Sequence, residues 1–457
     1  MDLISVSMKK PNLNSAIFAA LLIIYIIGQF LIGTWQPAEK RFIYNAPADV
    51  DFLYYGAIIN SLTDKMPPQN PAFAGVKLTQ PFIQYYPAAL LAKIINPYNT
   101  IRILNLLYVI LFWLLFRSLF PNRYGLPLII LFASSVFAVD LNSLGVDLIA
   151  RGFTHAPFII LLAAAIFCKR LPVRLFAIFG AALINGYSML MVVPFLAVMA
   201  ILNRKREDIF ILVSSILGTL AASLIVSSAV TERPFYFVIT EGFYFDPIEI
   251  IKHAAPFIVL SVFYKHRDMT ILLAVALLFG SFIHYNPFFP IFMAYFCGAM
   301  IVAAGQPRLP RAEILAYLIT AVLFVGFVSA ARAKYDPAKG GYYPRHDIRL
   351  DKAMAWIADN TGDTDCFMAV TAENNDLALV MQERPVYLGY IGHVAHLGLS
   401  WQERYNNITK TYRMNLAPDE VDYIFYGPVE KKYFPNARPS FPVVFQDENV
   451  VIYKARR

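Results

Sequence analysis

Apolar residues run along most of the chain in blocks separated by short polar breaks. The blocks fall near 14–34, 100–120, 125–140, 156–170, 175–186, 187–203, 209–231, 250–264, 269–284, 287–305 and 312–331. A helix needs about 20 such residues to cross a bilayer, fewer where it is short or bounded by re-entrant structure. The pattern predicts a polytopic α-helical membrane protein with about 11 transmembrane helices. Within 175–203, two basic flanks of the same sign favour two short helices hinged near Asn185-Gly186, the alternative being one long kinked helix.

Beyond residue 331 the pattern changes. Leu350, Ala353, Met354 and Ile357 recur at helical spacing, and Thr361-Gly362 supplies a helix stop. Short strand-like runs follow at Cys366–Val370, Val386–Leu388, Asp422–Phe425, Val443–Phe445 and Val450–Tyr453, the last two flanking Gln446–Asn449 as a hairpin. Helices are expected at Asp376–Gln382 and Trp401–Met414. The chain thus reads as a membrane module over 1–331 and a small mixed α/β domain over 332–457.

Composition agrees. Hydrophobic residues make up 58% of the 457 and charged residues 15%, against about 25% charged in soluble domains. Mean hydropathy is +0.53. The net charge of +8 lies wholly among the apolar blocks, because residues 332–457 hold 16 basic and 16 acidic side chains. That distribution fits membrane topology and gives no contiguous basic face for nucleic acid. With the N-terminus inside, the inner loops carry 14 basic residues and five acidic ones, and the outer side nine basic and ten acidic. Positive charge prefers the cytoplasm, so the expected place is the inner or plasma membrane, with the C-terminal domain extracytoplasmic. Lys9-Lys10 and the first apolar run lack a small-residue cleavage site and read as a retained anchor. The three cysteines offer no disulfide framework.

The longest loop is the first outer one, residues 35–99. It holds Asp49 and Asp51, then an amphipathic run Tyr54–Leu62, then Met66-Pro67-Pro68-Gln69-Asn70-Pro71. Amphipathic helices in such a place tend to lie in the membrane interface. Two carboxylates at the helix start would sit near its positive end. An ordinary capping role for Asp49 and a solvated Asp51 fit the same residues.

Asp51-Phe52-Leu53-Tyr54-Tyr55-Gly56-Ala57-Ile58-Ile59-Asn60-Ser61-Leu62, followed by Pro68-Gln69-Asn70-Pro71-Ala72-Phe73-Ala74-Gly75, resembles the first outer loop of GT-C superfamily glycosyltransferases. Arg384–His393, His396–Leu399 and Val421–Pro428 resemble the tail domain of some bacterial members. The resemblance implies a multi-span enzyme that takes a hexose or pentose from a polyprenyl-phosphate lipid and passes it to a glycan, lipid or protein acceptor on the outer face. It implies a general base at Asp51, with Asp49 as the competing register. Many relatives carry His where this chain has Tyr55.

The chemistry such a transfer needs is modest. One carboxylate takes the acceptor proton, and positive charge or hydrogen-bond donors stabilise the departing phosphate. Arg102, Arg151 and Lys93 are the candidate cations, with snorkelling to the interface as the plain alternative. The second outer loop, Asp140–His155, offers Asp140 and Asp147 for the acceptor, with His155 at its end; an Asp147–Arg151 pair at i,i+4 spacing accounts for two of these residues equally well. His284 closes the ninth span and His393 lies in the tail, both candidates to face substrate. No cofactor is expected. Oxygen ligands from the two loops would suit a divalent cation, but no fixed spacing demands one. A flippase for lipid-linked sugars, a glycan ligase or polymerase, and a membrane-anchored glycan sensor are the competing readings. Asn407-Ile408-Thr409 is a formal glycosylation acceptor that a bacterium would leave as a helix residue.

Overall fold

A computed structural model describes residues 16, 19–20, 23, 35–36, 41–42, 50–64, 68–78, 82–95, 97–121, 123, 125–132, 144–227, 247–280, 288–335, 348–370, 384–389, 391, 394, 399, 401–437 and 439–455. Among them the α-helices are, in chain order, α1 (Val50–Asp64), α2 (Tyr86–Ala92), α3 (Pro97–Leu119), α4 (Gly125–Phe132), α5 (Leu144–Phe167), α6 (Leu171–Ile184), α7 (Gly186–Asn203), α8 (Arg206–Ser227), α9 (Pro247–Phe263), α10 (Arg267–Gly280), α11 (Phe288–Ala304) and α12 (Ala312–Tyr335), then α13 (Asp351–Asn360), α14 (Gln402–Met414) and α15 (Pro428–Tyr433). The strands are β1 (Trp35–Gln36), β2 (Arg41–Phe42), β3 (Tyr264–Lys265), β4 (Gln306–Pro307), β5 (Phe367–Met368), β6 (Tyr423–Tyr426), β7 (Val443–Gln446) and β8 (Val451–Lys454). They form two compact units. One comprises 1–32, 105–218 and 238–339; the other comprises 33–104, 219–237 and 340–457. The first outer loop, expected within the membrane module, groups with the tail.

In the first unit α11 is apolar on every side and buried from Ile291 to Ala303, the pattern of a helix enclosed by others. Its Gly298 is required by a close approach: a Cβ there would stand 2.0 Å from the Phe257 ring of α9. The break within 175–203 falls at Asn185, whose side chain accepts from the Ser188 amide and caps α7. Outward faces are apolar as well. Ile209, Phe210, Val213, Leu217, Leu220 and Leu224 of α8 are exposed, as are Ile314, Leu318, Val322 and Val325 of α12. Exposed apolar stripes of this extent suit hydrocarbon, not water. Among the described residues, Asn99–Leu119 and Arg206–Ile225 are long and apolar enough to cross a membrane, and six other apolar helices are shorter.

The breaks that the charge pattern assigns to one side do meet. Arg123 pairs with Glu313 at 3.2 Å and donates to the Gly305 carbonyl, Arg174 pairs with Glu207 at 3.4 Å, Arg267 donates to Asn203, and β3 pairs with β4.

The second unit is built on a mixed sheet in the order β5-β6-β8-β7, parallel between β5 and β6 and antiparallel elsewhere. The β7–β8 hairpin turns where expected, with Asp447 Oδ1 accepting from the amides of Asn449 and Val450. Leu350, Ala353, Met354 and Ile357 pack on Phe367, Val386, Tyr423, Phe425 and Ile452, and Ala57 of α1 joins this core. The end of α13 is closed by Arg384, which donates to Thr361 Oγ1, the Thr361 carbonyl and Asp363, placing a cation where a helix end is negative. The expected helix at Asp376–Gln382 lies outside the described residues.

The sheet continues past β5. Phe367 donates to the Pro385 carbonyl at 2.9 Å and accepts from Tyr387 at 2.8 Å, so the segment from Pro385 forms a further lane. Its outer edge takes the first outer loop. Val386 donates to Pro71 and accepts from Ala74, and Gly389 donates to Ala72, at 2.7–3.1 Å.

Candidate active site

Asp51 is the second residue of α1, in the turn where backbone N–H groups lack helical partners. Its backbone is described and its side chain is not, while Asp49 lies outside the described residues. The amphipathic helix expected at Tyr54–Leu62 forms, but without an exposed polar face: every residue from Tyr54 to Thr63 is buried or half-buried. The reason is contact from more than one direction. Ala57 enters the tail core, and the Pro-rich segment after the helix folds back over it.

That segment is a closed turn. Leu78 donates to the Pro68 carbonyl at 2.8 Å, Asn70 donates to Val76 at 2.9 Å, and Gly75 sits at φ +79, which a side chain would strain. The Gln69 amide donates to Ser61 Oγ on α1 at 2.9 Å. Asn70 is wholly buried, and its Oδ1 accepts from the Ala72 amide at 3.0 Å and from Tyr54 Oη at 3.4 Å. Asn70 Nδ2 has no hydrogen-bond partner among the described residues. Asn70→Ala should therefore loosen the turn from α1, costing about 1–2 kcal/mol for the two bonds lost. Faster hydrogen–deuterium exchange over 69–78 would register it.

Tyr55, one turn beyond Asp51, packs its ring 5.5 Å from that of Tyr85. Tyr54, Tyr55 and Tyr85 thus form an aromatic cluster between α1 and the turn leading into α2. The sequence pattern marks this stretch by its resemblance but does not single out Asn70, Ser61 or Tyr85. An Asn before Pro is a turn signal; the contact with Tyr54 has no local signature.

Arg102 lies in the second turn of α3, is 3% exposed and donates from Nη1 to Asn99 Oδ1 at 3.2 Å. A snorkelling cation would reach water, and this one does not. Lys93 is exposed after α2. The polar run expected as a loop before 156 is helical from Leu144, since α5 begins there. Asp147, Arg151 and His155 follow at intervals of four along its first turns, the spacing of one side of a helix; their side chains are not described. Asp140, His284 and His393 lie outside the described residues. Among the described residues no three metal-ligating side chains gather. Asn407, the formal glycosylation acceptor, is half-buried in α14 and donates to Tyr387 Oη at 3.0 Å.

No protein-family model matches the sequence, and no curated protein matches it. Solved structures do match in fold. ArnT from Cupriavidus metallidurans bound to undecaprenyl phosphate superposes with a TM-score of 0.56, covering 96% of this chain and 98% of ArnT at 12% identity. ArnT in the apo state gives 0.55 at 11% identity, covering 96% and 97%. This chain shares that fold along nearly its whole length.

Proposed function

We propose that the chain transfers a sugar from a polyprenyl-phosphate lipid to an acceptor hydroxyl at the outer face of the cell membrane, with inversion and with Asp51 as general base. The observation that carries this reading is the shared fold with ArnT, whose crystal structure holds undecaprenyl phosphate, over 96% of the chain. The position of Asp51 in the first turn of a buried helix supports the assignment of the base.

In the reaction the acceptor hydroxyl gives its proton to the Asp51 carboxylate while its oxygen attacks the anomeric carbon. The bond from that carbon to the phosphate oxygen breaks, and polyprenyl phosphate leaves with the electron pair. The leaving group is already an anion of low basicity, so a strong general acid is not required. Cationic donors answer the charge that grows on it, and Arg102 and Arg151 are the proposed pair. Asp140, Asp147, His155, His284 and His393 are proposed for the acceptor side.

Incubating purified full-length protein with a panel of polyprenyl-phosphate sugars, with and without chelator, tests the class directly. Transfer from at least one donor, unchanged by chelator, is the expected result. Activity lost to chelator and restored by a divalent cation would place a metal in the mechanism. No transfer from any donor, with lipid still bound and moved between leaflets, would replace the transferase reading by a flippase.

A further inference from the structure

A half-buried charged side chain sits in the joint between the first outer loop and the tail. Arg404 of α14 slots its guanidinium between two rings, with Cζ 3.7 Å from the Phe73 centroid and 4.6 Å from that of Tyr387. Nη2 donates to the Ala74 carbonyl at 2.9 Å, across 330 positions of chain, and Nη1 donates to the Tyr387 carbonyl. Phe73 is 6% exposed and Tyr387 is 3% exposed. Burial pushes the Arg404 guanidinium below its ordinary pKa and the Tyr387 phenol above its own. A partly desolvated cation between rings is less easily accommodated than an apolar residue, and an apolar residue would serve to join two segments already held by three backbone hydrogen bonds.

What a guanidinium adds is a fixed geometry. Its charge lies over both rings, and its fork reaches a carbonyl on each segment at once. From Ala74 the link runs through the closed turn to Gln69 and Asn70, then to Ser61 and Tyr54 of α1. Tyr54 stands three residues from Asp51. We propose that Arg404 is a positioning residue, which sets the first turn of α1, and with it Asp51, by clamping the 68–78 turn to the tail. This role rests on the transferase reading.

The test compares Arg404→Ala, Arg404→Lys, Phe73→Leu and the Arg404→Ala/Phe73→Leu double variant with wild type, as full-length protein in lipid nanodiscs. Transfer kinetics are read beside hydrogen–deuterium exchange. Small displacements of a catalytic group cost up to about 100-fold in rate. Arg404→Ala is expected to lower kcat about 10- to 100-fold with donor KM within about threefold. Exchange should rise over 69–78 and stay unchanged in β6 and β8. Arg404→Lys, lacking the fork, should recover little. Phe73→Leu should fall in the same direction, and the double variant should be no worse than the poorer single one, as for residues in one contact.

Wild-type kcat in Arg404→Ala or in Arg404→Lys would overturn the proposal. So would loss of kcat accompanied by loss of protection in β6 and β8, the mark of a tail that has simply come apart. Those outcomes leave wild-type transfer intact. Absence of transfer by wild type itself would remove the transferase reading and this inference with it.

Discussion

Asp51→Asn should reduce kcat by about 10²–10⁴-fold, the range removed with a general base, while the protein stays folded and still binds donor lipid. The amide keeps the size and hydrogen-bonding reach of the carboxylate but does not accept a proton. KM for the donor should hardly move, because the base acts on the acceptor hydroxyl in the transition state and not on the lipid. Asp49→Asn is the comparison that makes the result decisive. Asp49 precedes α1, which begins at Val50, whereas Asp51 lies inside its first turn. Asp49→Asn should therefore turn over within a few-fold of wild type. Reversed outcomes would move the base one register earlier. Equal activity in all three proteins would sink the carboxylate mechanism for this loop.

The largest effect on stability is expected at Glu430. This carboxylate is wholly buried at the third position of α15, and it accepts from the Val370 amide at 2.8 Å and from the Gly427 amide at 3.0 Å. It therefore closes two things at once, the start of α15 and the chain just beyond β5. Glu430→Ala leaves both donors buried and unpaired at about 1–3 kcal/mol each. The expected loss is about 2–6 kcal/mol, which corresponds to a fall of at least about 30-fold in exchange protection across β5 and β6. Glu430→Gln should also destabilise, because its amide nitrogen would face one of the two N–H donors. Unchanged protection in Glu430→Ala would mean that water or another side chain reaches those amides.

How much of this was legible in the sequence varied with the range of the interaction. Local patterns translated well. The spacing of Leu350, Ala353, Met354 and Ile357 is that of the buried face of α13, and Asn185-Gly186 is the helix break. The β-hairpin around Gln446–Asn449 was readable for the same reason, since its turn residues bond only with near neighbours. The residues before position 156 read as a loop because Asp147, Arg151 and His155 are polar, yet their spacing of four was itself helical. Glu430 does not stand out by composition, although Gly427-Pro428 followed by Glu at the third helical position is a start signal with a mechanism.

Non-local pairings left no such trace. Nothing near Ala74 announces that its carbonyl will meet Arg404, and nothing in Tyr54–Leu62 shows that the polar face of that helix will be covered. Amphipathic spacing predicts an interfacial helix only where no other segment competes for its surface. Here the Pro-rich turn and the tail both do. The clustered aromatics Tyr54, Tyr55 and Tyr85 are thus plain in the sequence one by one, while their assembly depends on contacts that no short window contains.

The lane that Pro71–Ala74 adds beyond Pro385–Gly389 also bears on biogenesis. A ribosome makes the turn early and its docking edge late, with Arg404 later still. Contacts of such long sequence separation close slowly. The carboxylate-bearing helix must therefore wait, unanchored, while the intervening helices are made. With Asp51 as the base, catalytic competence would arrive only once the tail is in place, so that unfinished chains would be inert toward the lipid pool around them.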